Sequence, residues 1–262
     1  MKYLDVTIAG IKERMVYRMH FFIGLVAALI NLLVLWFVWN AVFAASETAI
    51  IGGFTLSAMI TYLVVSSCLR PLTYSGMEYK VEWDVRIGRI STLLTKPVSY
   101  PIFRIFEGFS STVFNLIINV LPIFLISVLL ITISPPVNIL AFLIAVTLGY
   151  FVNYLMIFLT GMWAFWSTGS VWGLKLSREV ITDIMSGAII PLYFFPDWFA
   201  NIAKLLPFQT VFHIPLSIYL GKIAGIDIFY SLIQQLVWLA ILGFLSYFVW
   251  KIAERKVIVH GG

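Results

Sequence analysis

The sequence is poor in residues that build chemical sites. Its one cysteine, Cys68, excludes an internal disulfide bond and any metal site made of several cysteines. The three histidines (His20, His213 and His260) lie far apart, without the spacing of metal ligands. A phosphate-binding loop of the form GxxxxGK[ST] is absent, which excludes ATP hydrolysis by this chain alone. Zinc-protease, CxxC, Ser/His/Asp and dinucleotide-binding patterns are also absent, so we expect no catalytic residue and no metal.

Charge is scarce as well. Charged residues make up 11% of the 262 positions and hydrophobic residues 61%, with a mean hydropathy of +1.01. A soluble domain is about one quarter charged, so this composition favours lipid as the solvent. A membrane-crossing helix needs roughly 20 apolar residues, because it must satisfy its own backbone. The sequence therefore predicts an all-α polytopic membrane protein with six spans, at about 21–43, 51–69, 106–132, 138–166, 181–195 and 229–250.

The fifth of these spans is short and is followed by prolines. Proline removes a helical hydrogen bond and clashes with the preceding turn, so a helix ending near Pro196 cannot simply continue. We expect residues 196–221 to form one or two short helices that enter the outer leaflet without crossing it. An ordinary kinked span is the alternative. The residues on which this prediction depends are Pro191, Pro196, Trp198, Pro207, Phe208 and Pro215.

Residues 1–20 show a different pattern. Apolar residues recur at helical spacing among charged ones, which predicts an amphipathic helix at the membrane surface; a partly disordered tail is the alternative.

The distribution of basic residues predicts the orientation in the membrane. With the N-terminus inside, 15 of the 17 Lys and Arg residues fall in cytoplasmic segments. The positive-inside rule then predicts that both termini are cytoplasmic. The basic residues flank apolar runs and form no single stripe, so we expect no nucleic-acid partner.

Residues 70–104 form the one sizeable polar loop. Within it, 79–87 alternate apolar and polar residues as a strand does, but a lone strand leaves its edges unpaired, so we expect a bent or interfacial segment. Gly88 permits a break, and 89–96 can form two helical turns before Pro97 ends them. Ile90, Leu93 and Leu94 share one face of that helix. An exposed face of this kind suits docking of a partner, whereas a fold-back onto the membrane interface is the equally weighted alternative.

Ionisable residues inside the spans are few. Glu179 and Asp183 share a helix face with Lys175, and pairing at the interface explains them better than contact with a substrate. Asn115 and Asn119 also share a face, which favours hydrogen bonding between helices over ligand binding. The lack of deeply buried carboxylates and histidines argues against proton-coupled transport.

The whole chain resembles the permease subunits of ABC-2-type transporters, a bacterial family of about 260 residues with a separate ATPase. One matching stretch is the loop from Arg86 to Pro97 with its "G…LL.KP" pattern, and the other is 186–196 with the prolines and the Tyr219-Leu-Gly221 that follow. The resemblance implies a single transmembrane domain over 1–262. It contains an interface helix at 1–20, a cytoplasmic loop with a coupling helix at 70–104, and a re-entrant segment at 196–221.

The resemblance also implies partners. Two permeases, identical or related, are expected to meet mainly through their first and fifth spans and to bind two cytoplasmic ATPase subunits that hold ATP and Mg²⁺. Membrane lipid surrounds them. The residues expected to couple to the ATPase are Arg86, Gly88, Arg89, Ile90, Leu93, Leu94, Lys96 and Pro97.

The expected function is export of an amphipathic substrate, such as a drug, lipid or peptide, across the bacterial cell membrane. The chief alternative is a channel or secondary transporter that works without ATP. A membrane-embedded lipid enzyme is a third reading, but it needs His, Asp or Glu clustered at one membrane depth, and the sequence offers none.

Overall fold

The computed structural model describes residues 2–16, 18–73, 75–95, 97–130, 133–167 and 169–260. These residues form α-helices, short 3-10 and π turns, and no β-strand beyond one isolated bridge between Ile51 and Phe54. In chain order the α-helices are α1 (Lys2–Val16), α2 (Arg18–Ala45), α3 (Leu56–Thr73), α4 (Met77–Arg86), α5 (Arg89–Leu94), α6 (Tyr100–Asn115), α7 (Leu121–Leu130), α8 (Ile139–Met162), α9 (Trp172–Met185), α10 (Asp197–Leu205), α11 (His213–Tyr219) and α12 (Ile226–His260). The all-helical fold predicted from composition is confirmed for this part of the chain.

Five helical stretches in the described chain are long and apolar enough to cross a membrane. They are Phe22–Ala45, Leu56–Arg86, Tyr100–Leu130, Ile139–Phe165 and Ile226–Lys256. The windows on the first and last of them are only 11% buried within the chain. Their apolar side chains therefore face outward, where lipid or a second subunit can cover them.

The fifth predicted span, residues 181–195, was wrong in its bounds. Helix α9 begins nine residues earlier and ends at Met185, and turns follow it. Gly187 has a φ of +75°, a left-handed conformation that ends the helix, and Pro191 prevents its return. The freed backbone is satisfied from α3, because Tyr62 donates to the Gly187 carbonyl at 2.5 Å and Ser66 to the Ala188 carbonyl at 2.6 Å.

The strand-like alternation at 79–87 is also misleading, since these residues belong to α4 and the start of the turn after it. Met77 and Val81 are four residues apart and both buried, which is the period of a helix. Their partner is α8, where Gly161 lets the backbone of α4 and the side chain of Val81 approach closely. Packing against α8 therefore stabilises residues 79–86 as a helix.

The third span is interrupted by a π-helical turn at Leu116–Val120. Pro122 lies two residues after this turn, and without an N–H it cannot make the α-helical bond to the carbonyl of Ile118. Widening the preceding turn is a common response to such a defect, and π turns often lie at functional sites. The turn places Asn119 on the same side as Asn115, and the Asn119 amide donates to the Asn115 side-chain oxygen at 3.1 Å.

Helix α8 lies at the centre of the packing and contacts α4, α11 and α12. One buried cluster joins α8 to α3 and to the segment around Phe212, and a second joins it to α4, α5 and α12. The second cluster therefore holds the polar loop against the helices that cross the membrane.

Helix α1 packs on α6, where Thr7 donates to the Phe106 carbonyl at 2.8 Å and Gly10 lies against Ser110. Ile8 and Met15, from the predicted apolar face, remain exposed. That arrangement leaves an apolar face free for the membrane surface, and the position of α1 in the membrane stays a prediction, as does the cytoplasmic location of the termini.

Candidate functional site

The short helix predicted in the polar loop is present as α5. Gly88 precedes it with a φ of +70°, a conformation that favours glycine, so this residue provides the break between α4 and α5. Pro97 is exposed just beyond it, and Lys96 lies outside the described residues. The helix has six residues, Arg89–Leu94.

The predicted exposure of the apolar face of α5 was wrong. Ile90 and Leu93 are 3% and 4% exposed, and Leu94 is partly buried. They pack inward on residues of α4, α6, α8 and α12, among them Val81, Tyr100 and Trp250. The apolar face of this short helix is covered by α6, which follows it in the chain, and by α12. These residues therefore hold the loop in place, and their role in coupling to an ATPase stays a prediction.

The exposed face of the loop is formed by other residues. Trp83 is 60% exposed and Ile87 is 53% exposed, and the side chains of Arg86 and Arg89 are each about half exposed. We call these four residues the loop surface. Trp83 and Ile87 were missed from the sequence, although a signal exists: they are four residues apart, and helical geometry places them about 120° around the axis from Met77 and Val81.

A buried ionic network anchors α4 to α6. The guanidinium of Arg104, 2% exposed, pairs with the carboxylates of Asp84, 1% exposed, and of Glu107. Tyr100 donates to Asp84 at 3.0 Å, and Lys80 pairs with Glu107 at 2.7 Å. Buried charges are costly unless they are paired, so this network holds the two helices in one relative position.

The network extends towards α5 and α9. Arg89 on the loop surface lies 3.9 Å from Asp84, and Arg178 on α9 pairs with buried Glu78 on α4 at 2.7 Å. The predicted pairing of Lys175 with Glu179 is confirmed at 2.8 Å. Asp183 instead pairs with Arg70 on α3. Ion pairs therefore connect the polar loop to α6 and, through α9, to the broken region after Met185.

A groove of about 400 Å³ lies between α2, α3, the π turn and residues 188–189. Six polar residues line it, and we call it the polar groove: Asn31, Ser66, Ser67, Arg70, Asn115 and Asn119. Asn115 and Asn119 were predicted to form hydrogen bonds between helices. This prediction is confirmed for Asn115, whose amide on α6 donates to the Pro71 carbonyl on α3 at 2.8 Å. A second cavity of about 280 Å³ adjoins it at Arg70 and reaches Asp183 and Arg178.

The segment after Pro196 forms two short helices, α10 and α11, joined by a 3-10 turn at Pro207–Thr210. Pro191, Pro207 and Pro215 are buried, Phe208 is partly buried, and Pro196 and Trp198 are exposed. The prediction of one or two short helices is confirmed. Their depth in the membrane stays a prediction.

This segment is packed tightly on α8. A Cβ atom at Gly149 would overlap the carbonyl oxygen of Thr210. The buried Gln235 amide donates to that same carbonyl at 2.8 Å and to the Ala145 carbonyl at 3.0 Å. His213 is also buried, and its burial together with the nearby charge of Lys204 lowers the pKa of His213 to about 4.

The described residues hold no group of three His, Cys, Asp or Glu side chains that could bind a metal ion. Their site features are a surface, an ionic network and a groove, which suit binding and movement better than bond chemistry.

Comparison with known families gives one match. The model of the family described as "ABC-2 family transporter protein" matches residues 29–261. The chain belongs to this family. A search of curated proteins finds no match. Membership makes the chain a membrane transport component and agrees with an ABC-2-type permease of about 260 residues. The matched range includes the loop surface, the six polar residues of the polar groove and the segment after Pro196.

Proposed function

We propose that this ABC-2 family protein is the membrane-spanning permease subunit of an ABC exporter in a bacterial cell membrane. It moves an amphipathic substrate with energy from ATP that a separate subunit binds, with Mg²⁺, and hydrolyses. Two permeases, identical or related, form the pathway. Both termini and the polar loop lie in the cytoplasm, and the re-entrant segment lies on the opposite side.

The loop surface is the observation that carries this proposal. An exposed tryptophan beside an exposed isoleucine is costly in water, and aromatic residues and arginine are the residue types that dominate the centres of protein interfaces. Here Trp83 and Ile87 stand out from an otherwise polar loop, flanked by Arg86 and Arg89. A cleft with apolar walls and acidic residues complements this surface.

The same loop is built to transmit force. Ile90 and Leu93 fix α5 in the cluster with α8 and α12, and Asp84 and Glu78 fix α4 to α6 and α9 through ion pairs. A push on the loop surface therefore reaches the membrane helices without first being absorbed by a flexible linker. Rigid connection of this kind is what a partner that closes on ATP requires.

The test is coupling of ATP hydrolysis to the permease. Tagged permease is purified from its native membrane, the copurifying ATPase subunit is identified by its phosphate-binding loop, and the complex is placed in nanodiscs. Trp83→Ala and Ile87→Asp are expected to release the ATPase subunit and to lower permease-dependent ATP hydrolysis at least tenfold. Trp198→Ala is the matched control, because Trp198 in the re-entrant segment is 67% exposed against 60% for Trp83; this variant is expected to keep the ATPase subunit and the activity.

Retention of the ATPase subunit and full activity in both loop variants would contradict the docking role. Transport by purified permease alone, without any nucleotide-hydrolysing subunit, would favour the channel or secondary-transporter alternative.

A further inference from the structure

The two ends of the polar groove differ: one end carries a charged side chain and the other is apolar. On α2 it is lined by Gly24, Ala28, Asn31 and Leu35, which share one helix face. Eleven residues at 1.5 Å each make the groove about 16 Å long on this side. Helix α3 runs the opposite way, so Arg70 lies near the end marked by Gly24. Leu63 lies near the other end, towards Leu35.

The Arg70 end carries the charge. Arg70 is the single ionised side chain among the described residues that line the groove, and it is 43% exposed. Its guanidinium has five N–H donors, and one carboxylate, that of Asp183, can accept only part of them. The remaining donors are open to an acceptor in the groove. Planar donors of this kind bind phosphate and carboxylate groups in preference to neutral ones.

Uncommitted polar groups lie next to this charge. Pro71 has no N–H, so the Ser67 carbonyl has no helical donor at that position, and both residues line the groove. Asn31 lies between long apolar stretches of α2, and it has no hydrogen-bond partner among the described residues. A polar side chain at membrane depth without a partner is costly, which marks it as a contact for a ligand or another helix.

The Leu35 end of the groove is apolar. Helix α2 forms one wall of the groove, and its apolar side chains are mostly exposed. A molecule can therefore enter from the lipid and keep an acyl or aryl chain in an apolar setting. Its headgroup then reaches the amides and Arg70.

We propose that the polar groove binds an amphiphile with an anionic headgroup, phosphate or carboxylate, held by Arg70 with the apolar chain along Leu35 and Leu63. This deepens the proposed transport function, on which its role as cargo rests. Binding itself needs no ATPase. Asp183 competes with the ligand for Arg70, so the ion pair tunes the affinity of the groove.

The test uses the purified permease in nanodiscs of zwitterionic lipid. The probe is radiolabelled oleoyl lysophosphatidic acid, and monooleoylglycerol is the matched competitor with the same chain and no phosphate. Wild type is expected to bind the probe saturably and to bind the competitor at least tenfold more weakly. Arg70→Gln loses this discrimination, and Arg70→Lys keeps part of it. Arg255→Gln, an exposed charge at the end of α12, is the matched control and leaves binding unchanged.

Asp183→Asn is the decisive variant, because it removes the competitor of the ligand and leaves Arg70 in place. Binding of the probe is expected to tighten severalfold, opposite in sign to Arg70→Gln. A purely structural ion pair predicts that both variants weaken binding alike, and that result overturns the proposal. Equal competition by monooleoylglycerol, or the absence of saturable probe binding, also overturns it. A complex that keeps coupled ATP hydrolysis without binding the probe refutes the groove assignment and leaves the transporter function intact.

Discussion

Removal of Arg104 is the perturbation whose cost follows most directly from the structure. Asp84 is 1% exposed, and one of its oxygens, Oδ1, has no hydrogen-bond donor among the described residues. In Arg104→Met the carboxylate keeps only the Tyr100 hydroxyl at 3.0 Å and the Arg89 guanidinium at 3.9 Å. Glu107 keeps Lys80 at 2.7 Å and is less affected. The variant thus leaves one buried carboxylate nearly alone.

Breaking a buried ion pair by deleting one partner costs about 3–5 kcal/mol. Asp84→Asn removes the charge itself and leaves Arg104 with Glu107, so its cost is expected to be smaller, about 1–3 kcal/mol. Replacing both residues, as in Arg104→Met with Asp84→Leu, recovers most of the loss, because an apolar pair of similar volume needs no compensation. The order of stability is therefore wild type, Asp84→Asn, then Arg104→Met.

Reversible unfolding in mixed micelles, followed by circular dichroism, measures these free energies. Lys251→Met is the control, because Lys251 pairs with Glu254 at 3.0 Å on the surface, and its unfolding midpoint is expected to stay unchanged. If Arg104→Met were as stable as the Lys251 variant, the network would not hold α4 to α6. The ion pairs would then not transmit force from the polar loop to the membrane helices.

Three further predictions follow from packing and protonation. Leu93 is 4% exposed, so Leu93→Ala is expected to lower the free energy of unfolding by about 2–5 kcal/mol. Ser91→Ala, on the exposed side of α5, is the control and leaves that free energy nearly unchanged. Equal values for the two variants would show that Leu93 is not buried. Gly149→Ala is expected to lower the thermal midpoint, because its Cβ overlaps the Thr210 carbonyl, whereas Gly243→Ala meets open space and does not lower it. Burial, and then the charge of Lys204, lower the pKa of His213 to about 4 in the folded state, against about 6.5 in the unfolded state. The unfolded state therefore binds the proton first as the pH falls. The free energy of unfolding is expected to decrease between about pH 6.5 and pH 4, by at most roughly 1.4 kcal/mol per pH unit. His213→Phe is expected to remove that part of the pH dependence of unfolding, and an unchanged pH profile would contradict the assignment.

Much of the fold was accessible from the sequence, because helices in lipid obey strong local rules. Apolar runs of about 20 residues predicted the long helices, and Gly88 and Pro97 predicted a short helix between them. The cluster of prolines from Pro191 onward predicted that the chain is broken there. These signals are local, since each depends on the backbone of a few neighbouring residues.

The face that each short helix buries was not accessible in this way. Ile90 and Leu93 suit a partner cleft and an internal cluster equally well, and only the position of Trp250, about 160 residues away, decides between them. The pairing of Arg70 with Asp183 joins residues 113 positions apart, and no periodicity predicts it. The break after Met185 likewise depends on α3, because the hydroxyl groups of Tyr62 and Ser66 donate to the carbonyls that the helix leaves unpaired there.

The central claim is that the loop surface lies in the cytoplasm and is covered by the ATPase subunit. The single native cysteine, Cys68, is buried, so Ile87→Cys can be labelled with a membrane-impermeant maleimide against little background. We predict no labelling in intact cells, labelling in inverted vesicles stripped of the ATPase subunit, and protection when that subunit is restored, with Trp198→Cys showing the opposite sidedness. Labelling of Ile87→Cys from outside intact cells would contradict the account.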